Sequence, residues 1–487
     1  MSTQLFSENL GQRIAIAGLL IYVAFAPHSV AGSVIGVAIA GIGWVIRSVQ
    51  TRSLGLSRSR FDLIIVLLLV WTGLSAVLSE EPSISIPKLT SQWSVFIFYL
   101  TRAVITRRSA LYLVGVLILS GCVGTLYSAF DLIRGRGVVV ESMAPGSPFG
   151  KLEIFPGDTI WRVGGRRVYS VAEIDSALRG VAANTPLSVS IISQGEHVDR
   201  QGLVVTAVEQ QAASPSGLTG SLRNHRFRAS GWTRHYETFA EVLQIIAQLA
   251  LGFALAHLRN HGPNKYFRIA LVAAALLALG LAFTAMRTVI VAFALGACLV
   301  AWRSLRGAHK VVFVFALFFV IAFGAVVVSQ TRSRNALALG DPSSMLRFQI
   351  ARVGLSRIPL HPVFGHGMDA MKRHWNEWGF PGKDILHLHS TPLQLAFDRG
   401  LPALVFWLWM MALFWTEIAG GEKRAADLSD THVYGILLGG LGALTGFLAS
   451  SLVNYNYGDG EAVMLFWWLM GVCVFFTSRD PLVKSGP

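Results

Sequence analysis

Residues 266–304 read YFRIALVAAALLALGLAFTAMRTVIVAFALGACLVAWRS. Two apolar runs, 266–285 and 288–304, are separated only by Met286 and Arg287. Each approaches the roughly 20 apolar residues that one bilayer crossing requires. Outward from this pair, similar runs stand near 12–27, 29–48, 61–79, 91–107, 109–133, 237–258, 310–329, 393–417, 432–453 and 460–477. The first two form a candidate hairpin around Pro27 and His28. The run after Arg13 has more spans directly behind it and no small-residue cleavage site, so it reads as a retained helix.

Composition agrees. The 487 residues are 53% hydrophobic and 14% charged, with a mean hydropathy of +0.54. A soluble protein carries about 25% charged residues. A cytosolic enzyme, a disordered chain and a secreted disulfide scaffold are excluded. The expectation is a mainly α, polytopic membrane protein of about 12 transmembrane helices. Cys122, Cys298 and Cys473 fall far apart in apolar runs and read as small buried hydrophobes.

The net charge of +14 is topological in this setting, not a sign of nucleic acid, because cytoplasmic loops collect Lys and Arg. With a cytoplasmic N-terminus, the even-numbered connections should be basic. They hold Arg47, Arg52, Arg58 and Arg60; Arg107 and Arg108; Arg259, Lys265 and Arg268; Arg303, Arg306 and Lys310; and Lys423 and Arg424, with Arg479 and Lys484 in the tail. Odd-numbered connections hold Glu80 and Glu81, or Asp459 and Glu461. Two long segments, about 134–236 and 330–392, then face the far side of the membrane. Both break the charge bias, with Arg223, Arg226, Arg228 and Arg234 in one and Arg347, Arg352, Arg357 and Arg373 in the other. Long translocated loops are largely exempt from the rule, so a solvated basic loop is the ordinary explanation. Arg287 is different: a cation at a membrane edge between two helices needs a partner, and an anionic ligand is the functional candidate.

Residues 134–210 change character. GVVVESM and PLSVSIIS read as strands, and SVAEIDSALRG as a helix with Ser170 as N-cap and Gly180 beyond its end. Between them lies APGSPFGKLEIFPGDTIWRVGGRRV. Gly146, Ser147, Pro148, Pro156, Gly157, Asp158, Gly164 and Gly165 resemble the turn signature of the PDZ domains of bacterial envelope proteins, which implies a small inserted α+β domain. PDZ domains hold a terminal carboxylate on backbone amides. The resemblance puts that peptide-binding loop at Gly135, Gly137 and Val138, beside Arg134 and Arg136, with a protein C-terminus or peptide as ligand; a spacer or docking surface is the alternative.

The second far-side segment contains HPVFGHGM and then HLHSTPLQLAFDRGLPA, which runs from polar loop into apolar helix. With RASGWTRHYETFA upstream and Arg287 between, the set is similar to the O-antigen ligase and polymerase superfamily of lipid-linked glycan transferases. There a His followed by Asn, Ser or Gln precedes a helix, with a Gly ten residues after the second member; His389, Ser390 and Gly400 match. Three positions on the family has Gly, Thr or Tyr, and this chain has Ala403. The resemblance covers the spans from about 61 onward, without the insertion, and implies a GT-C-like fold.

It further implies inverting, metal-independent transfer of a glycan from an undecaprenyl diphosphate donor to an acceptor hydroxyl. Guanidinium groups suit the diphosphate, and the resemblance points to Arg287, Arg347 and Arg228. A histidine can take the acceptor proton, which makes His389 the catalytic candidate, as base or orienter. His235, Glu237 and Ser390 are candidates for positioning the acceptor. Glu237 and Glu241, four apart, share a helix face where acids are also ordinary N-terminal residues. His387 and His389 form a His-x-His pair with only Asp369, Glu377 and Asp384 nearby, and neither a metal nor another cofactor is expected. Glycine-rich LLGGLGALTGFLASS reads as a close-packing surface, and Trp and Tyr near span ends as interface markers.

The expected division is 1–133, helices one to five; 134–210, the periplasmic PDZ-like domain; 211–329, an Arg-rich loop and helices six to nine; 330–392, the catalytic loop; and 393–487, helices ten to twelve and a cytoplasmic tail. The resemblance places the protein in a bacterial inner membrane with its active site facing the periplasm. Its partners are the lipid-linked glycan, membrane lipids and an acceptor: lipid A-core for a ligase, a growing chain for a polymerase, or a protein for an O-oligosaccharyltransferase. A ligase is placed first. An intramembrane protease would need a His-Glu-x-x-His helix, which the chain lacks. A transporter would show inverted repeats and broken midplane helices, and neither is evident.

Overall fold

Apolar runs with polar punctuation become helices, several of them with an N-cap side chain that accepts from the first turn. The computed structural model describes residues 9–193, 196–220, 223–233, 235–331, 342–382 and 387–478; Arg234, Asp384, Arg479 and Lys484 lie outside these. Helices α1 (Leu10–Phe25) and α2 (Val30–Thr51) begin after Asn9 and Ser29, whose side chains accept from Gly11 and Gly32 N–H. They form the expected hairpin, held close by glycine: a Cβ on Gly18 would sit 2.3 Å from Ala40 N, and one on Gly43 2.2 Å from Ala15 N. Next come α3 (Phe61–Leu78), one turn of α4 (Pro82–Ser85), a 3-10 helix (Ile86–Val95), α5 (Phe96–Val104) and α6 (Arg107–Arg134).

Among the described residues ten helices are long and apolar enough to cross a membrane, not twelve. The first run makes α1, of 16 residues and just short of that length. The run at 91–107 is the other correction. Its first part, IPKLTSQWSV, is a ten-residue 3-10 helix, and only nine residues follow as α5. Runs of 3-10 helix beyond three or four residues are uncommon and often mark function. Drawn out, the two pieces together cover about 30 Å, one hydrocarbon thickness, with polar side chains where lipid would demand apolar ones.

The insertion comprises β1 (Val138–Val139), β2 (Ser142–Met143), β3 (Thr159–Val163), β4 (Arg166–Arg167), α7 (Val171–Arg179), β5 (Leu187–Ser193), β6 (Glu196–Leu203), α8 (Ala207–Gln211) and β7 (Leu218–Thr219). Its main sheet runs β1-β3-β5-β6 with β4 on β3, around an apolar cluster including Phe149, Ile160, Ile174, Val189 and Leu203. Ser170 caps α7 as expected. The unit extends past residue 210, because β7 pairs with β2 and Leu218 joins the cluster. It is seated on α6 by a buried ion pair, Arg136 to Asp131 at 2.5 Å, with the guanidinium over Trp161 and Phe227.

Helices α9 (Tyr236–His261), α10 (Lys265–Phe283), α11 (Arg287–Ser304), α12 (Ala308–Thr331), α13 (Pro342–Arg357), α14 (Ala370–His374), α15 (Thr391–Asp427), α16 (Thr431–Ser451) and α17 (Gly460–Thr477) complete the bundle. Buried α9 is its hub, in contact with α6, α10, α11, α16 and α17. The glycine-rich α16 packs on it closely, with Gly252 facing the backbone of Gly435 and Gly439. Cys298, expected to be buried, lies exposed on the outer surface of α11.

Basic connections gather at one end of the bundle, where Arg107 meets Asp430 at 2.6 Å and Arg303 meets Glu422 at 2.5 Å. The opposite end joins Arg347 to Glu237 and Thr238 to Asp459. There α15 breaks at Gly400, with φ 78° and ψ 170°. The backbone groups this break frees are taken by one loop: Leu401 N–H donates to Pro362 O, while Phe397 O and Asp398 O accept from His366 and Gly367 N–H. Irregular backbone at membrane depth persists only where it is satisfied in this way.

Candidate active site

A cavity of about 640 Å³ opens at this second end, between the 3-10 helix, the start of α9, the loop before α14, the start of α15 and the turn before α17. His389 stands on its wall, in the left-handed conformation (φ 51°) immediately before the N-cap of α15. Its ring is 4.2 Å from that of His387, and Nε2 is buried with no hydrogen-bond partner among the described residues. Burial, reinforced by His387 and Arg347, pushes the pKa down to about 2, so the imidazole is neutral. A neutral ring with an unengaged nitrogen can accept a proton or orient a hydroxyl.

The loop that carries His389 is held from below. Gln394 accepts from Leu388 N–H at 2.7 Å and donates to Asp398 at 2.8 Å. Asn454 ties three elements together: its carbonyl oxygen accepts from Arg347 Nη1 at 3.4 Å, its amide donates to Thr288 at 3.2 Å, and its backbone oxygen accepts from Thr391 N–H. Arg347 also bonds Glu237 on the cavity wall at 3.1 Å. Arg287, half-buried, reaches Ser344 at 3.3 Å, one turn from Arg347 on α13. Glu237 and His389 therefore share the cavity wall, Arg347 is bonded to its lining residues, and Arg287 is linked to the helix of Arg347 through Ser344. His235 lines the cavity as well, and Glu237 and Glu241 share a face as their spacing predicts.

Other candidates lie apart. Ser390 is buried at the N-cap of α15, makes no capping bond and is not on the cavity wall. Arg228 is 1% exposed, its guanidinium 4.3 Å from the centre of the Tyr236 ring beneath the inserted unit, away from the cavity wall. The loop expected to take a peptide carboxylate is closed by the chain itself. Arg136 and Asn224 exchange both backbone hydrogen bonds. A Cβ on Gly135 would meet Arg223 and His225, one on Gly137 would meet Ile160 O at 2.4 Å, and Val138 is buried in β1.

Arg399 escaped the reading of the sequence, although AFDRGLPA places two charges inside an apolar run, the ordinary mark of an intramembrane functional site. It is 4% exposed, lines the cavity, and its Nε and Nη1 have no hydrogen-bond partner among the described residues. Asp398 beside it is equally buried. Lys88 and Lys372, which pinch Asp369 at 2.5 and 3.0 Å, join them on the wall; the aromatic and amide side chains of Trp93, Gln92, Tyr455 and Asn454 complete a lining suited to a polar, hydroxyl-rich ligand.

No curated protein matches the chain. Residues 272–408, which run from α10 through the break in α15 and include Arg287, Arg347 and His389, match the family model described as O-antigen ligase, and the match supports membership of this part of the chain in the ligase and polymerase superfamily.

Proposed function

We propose that the protein transfers a glycan from a polyprenyl (undecaprenyl) diphosphate donor to an acceptor hydroxyl, with inversion at the sugar carbon, at the periplasmic face of a bacterial inner membrane. One observation carries the reading: the family-matched stretch puts His389 on the wall of a cavity and Arg347 on hydrogen bonds to two of its lining residues, Glu237 and Asn454, with Arg287 tied to the helix of Arg347 through Ser344. Negative charge grows on the leaving diphosphate, and fixed guanidinium groups stabilise it without a metal ion. Arg287 and Arg347 take that part beside the cavity, and Arg399 supplies a desolvated cation inside. His389, neutral and with Nε2 unengaged, receives the proton of the attacking hydroxyl or orients it. Glu237 and His235 position the acceptor.

The acceptor of first choice is lipid A-core, which makes the protein an O-antigen ligase; polymerase and protein O-oligosaccharyltransferase are the alternatives. The inserted unit, with its PDZ-like turn signature, serves as a docking surface or spacer. Complementation of a gene disruption tests the proposal. Loss of the gene should leave polymer on its lipid carrier if the protein is a ligase, single repeats if a polymerase, and an unglycosylated protein if it acts on proteins. His389→Ala and Arg287→Ala, at wild-type membrane abundance, should fail to restore the glycan. Restoration by both would remove the site.

A further inference from the structure

Beside the cavity, the loop over the break in α15 carries a second group of side chains that the transfer chemistry does not use. His366 is 1% exposed. Its Nε2 lies 3.1 Å from the carbonyl oxygen of Arg357, and its Nδ1 lies 2.5 Å from Oε2 of Glu80 at the end of α3. Both neighbours only accept. A neutral imidazole has one N–H; spent on the carbonyl, it leaves the Nδ1 lone pair facing a carboxylate. At 2.5 Å these two electron-rich atoms either share a second proton or, with a bound cation beside them, draw apart to roughly 3.3 Å, the spacing of two ligands on one tetrahedral ion.

His361 favours the cation. Its Nε2 is 3.5 Å from the same Glu80 oxygen, its ring is 4.6 Å from that of His366, and one ligand atom from each of the three residues lies within 4.8 Å of the others. Two imidazoles and a carboxylate are the donor set that divalent zinc takes with a water in the remaining position. The bond from His366 Nε2–H to a backbone carbonyl is the outer contact that orients a metal-bound histidine. Glu80 and His361 are both partly exposed, so an ion has a path in. Nearby His374 is built differently: each ring nitrogen has its own carboxylate, Glu377 at 2.6 Å and Glu81 at 2.7 Å, and among the described residues it joins no second imidazole in a ligand group.

We propose that Glu80, His361 and His366 form a binding site for a divalent transition metal of the zinc type, one that positions the loop and does not meet the substrate. The ion would pin the 361–366 loop to the end of α3. That loop fills the break at Gly400 and leads into Met368 and Asp369 on the cavity wall, so the site fixes the floor of the cavity without touching substrate.

The test uses the full chain purified in detergent, stripped with chelator and then titrated with Zn²⁺, or with Co²⁺ as a spectroscopic probe. The wild type should retain about one zinc per chain through gel filtration, and Co²⁺ should give ligand-field bands that zinc removes. His361→Ala, at a half-exposed position that leaves the core intact, should weaken binding at least about tenfold, as should His366→Ala. His374→Ala, His387→Ala and His389→Ala should bind as the wild type does. No retained zinc and no cobalt spectrum in the wild type, with ¹⁵N shifts showing a doubly protonated His366, would replace the metal with an ion pair. Binding lost through His387→Ala or His389→Ala would also overturn the assignment. None of these readouts depends on glycan transfer.

Discussion

At the scale of single residues, His389 illustrates how burial sets chemistry. An unperturbed histidine titrates near about 6.5, whereas the buried ring, next to His387 and Arg347, is held neutral far below that. The sign follows. As pH falls through about 6.5 the unfolded chain binds a proton that the folded one refuses, so this group costs stability in acid and none above that pH. The folded ring meanwhile stays competent. The rate of glycan transfer should therefore show no acid limb from His389 between about pH 7 and pH 5. A limb centred near 6.5 that disappears in His389→Gln would contradict the placement.

At the scale of elements, backbone geometry does what side-chain patterns do not. The Gly400 break turns the start of α15 over the cavity, and a Cβ there would fall 1.9 Å from Val363 O. Gly400→Ala should cost about 1–3 kcal/mol for the backbone conformation alone, with further loss from the clash. Detergent thermal melts should show a lowered midpoint, and the 361–366 loop should become more open to proteolysis. The contact between α9 and α16 is equally intolerant. A methyl on Gly252 would meet Gly435 O and Gly439 N, both at 2.4 Å, and overpacking of this kind costs about 1–3 kcal/mol. Gly252→Ala should therefore lower the melting midpoint while leaving the His389 region chemically unaltered, so residual transfer per folded molecule should match the wild type.

At the scale of the whole molecule, the inserted unit enters and leaves at one place. Gly220 lies against Val139 O, and Arg136 pairs with Asn224 just outside. A short Gly-Ser link replacing 139–219 should leave the membrane helices folded, because closely spaced ends allow excision. Gel filtration in detergent and helical circular dichroism would check it; aggregation would mean that the faces now covered on Arg136 and Phe227 are indispensable. The bundle itself sorts charge by end, with the basic connections opposite the cavity.

Apolar run length and loop charge were enough to determine a polytopic helical protein, because one solvent imposes one requirement on every span. Cap, turn and glycine signals determined α7 and its cap, the α1–α2 hairpin and the close-packed face of α16, and the family resemblance gave His389 its following helix. The run at 91–107 misled because a hydropathy pattern does not tell a 3-10 helix that lines a cavity from an α-helix that faces lipid. Tertiary structure alone decided which cations stand beside the cavity. Arg287, Arg347 and Glu237 come from three helices and meet through Ser344 and Asn454, whereas Arg228, equally prominent in the sequence, turns onto Tyr236 under the insertion. It also decided the place of Arg399 on the cavity wall and the meeting of Glu80 with His361 and His366, since Glu80 lies 286 residues before His366 along the chain. Local sequence carries propensity and burial; which side chains face one another is set by packing between distant segments.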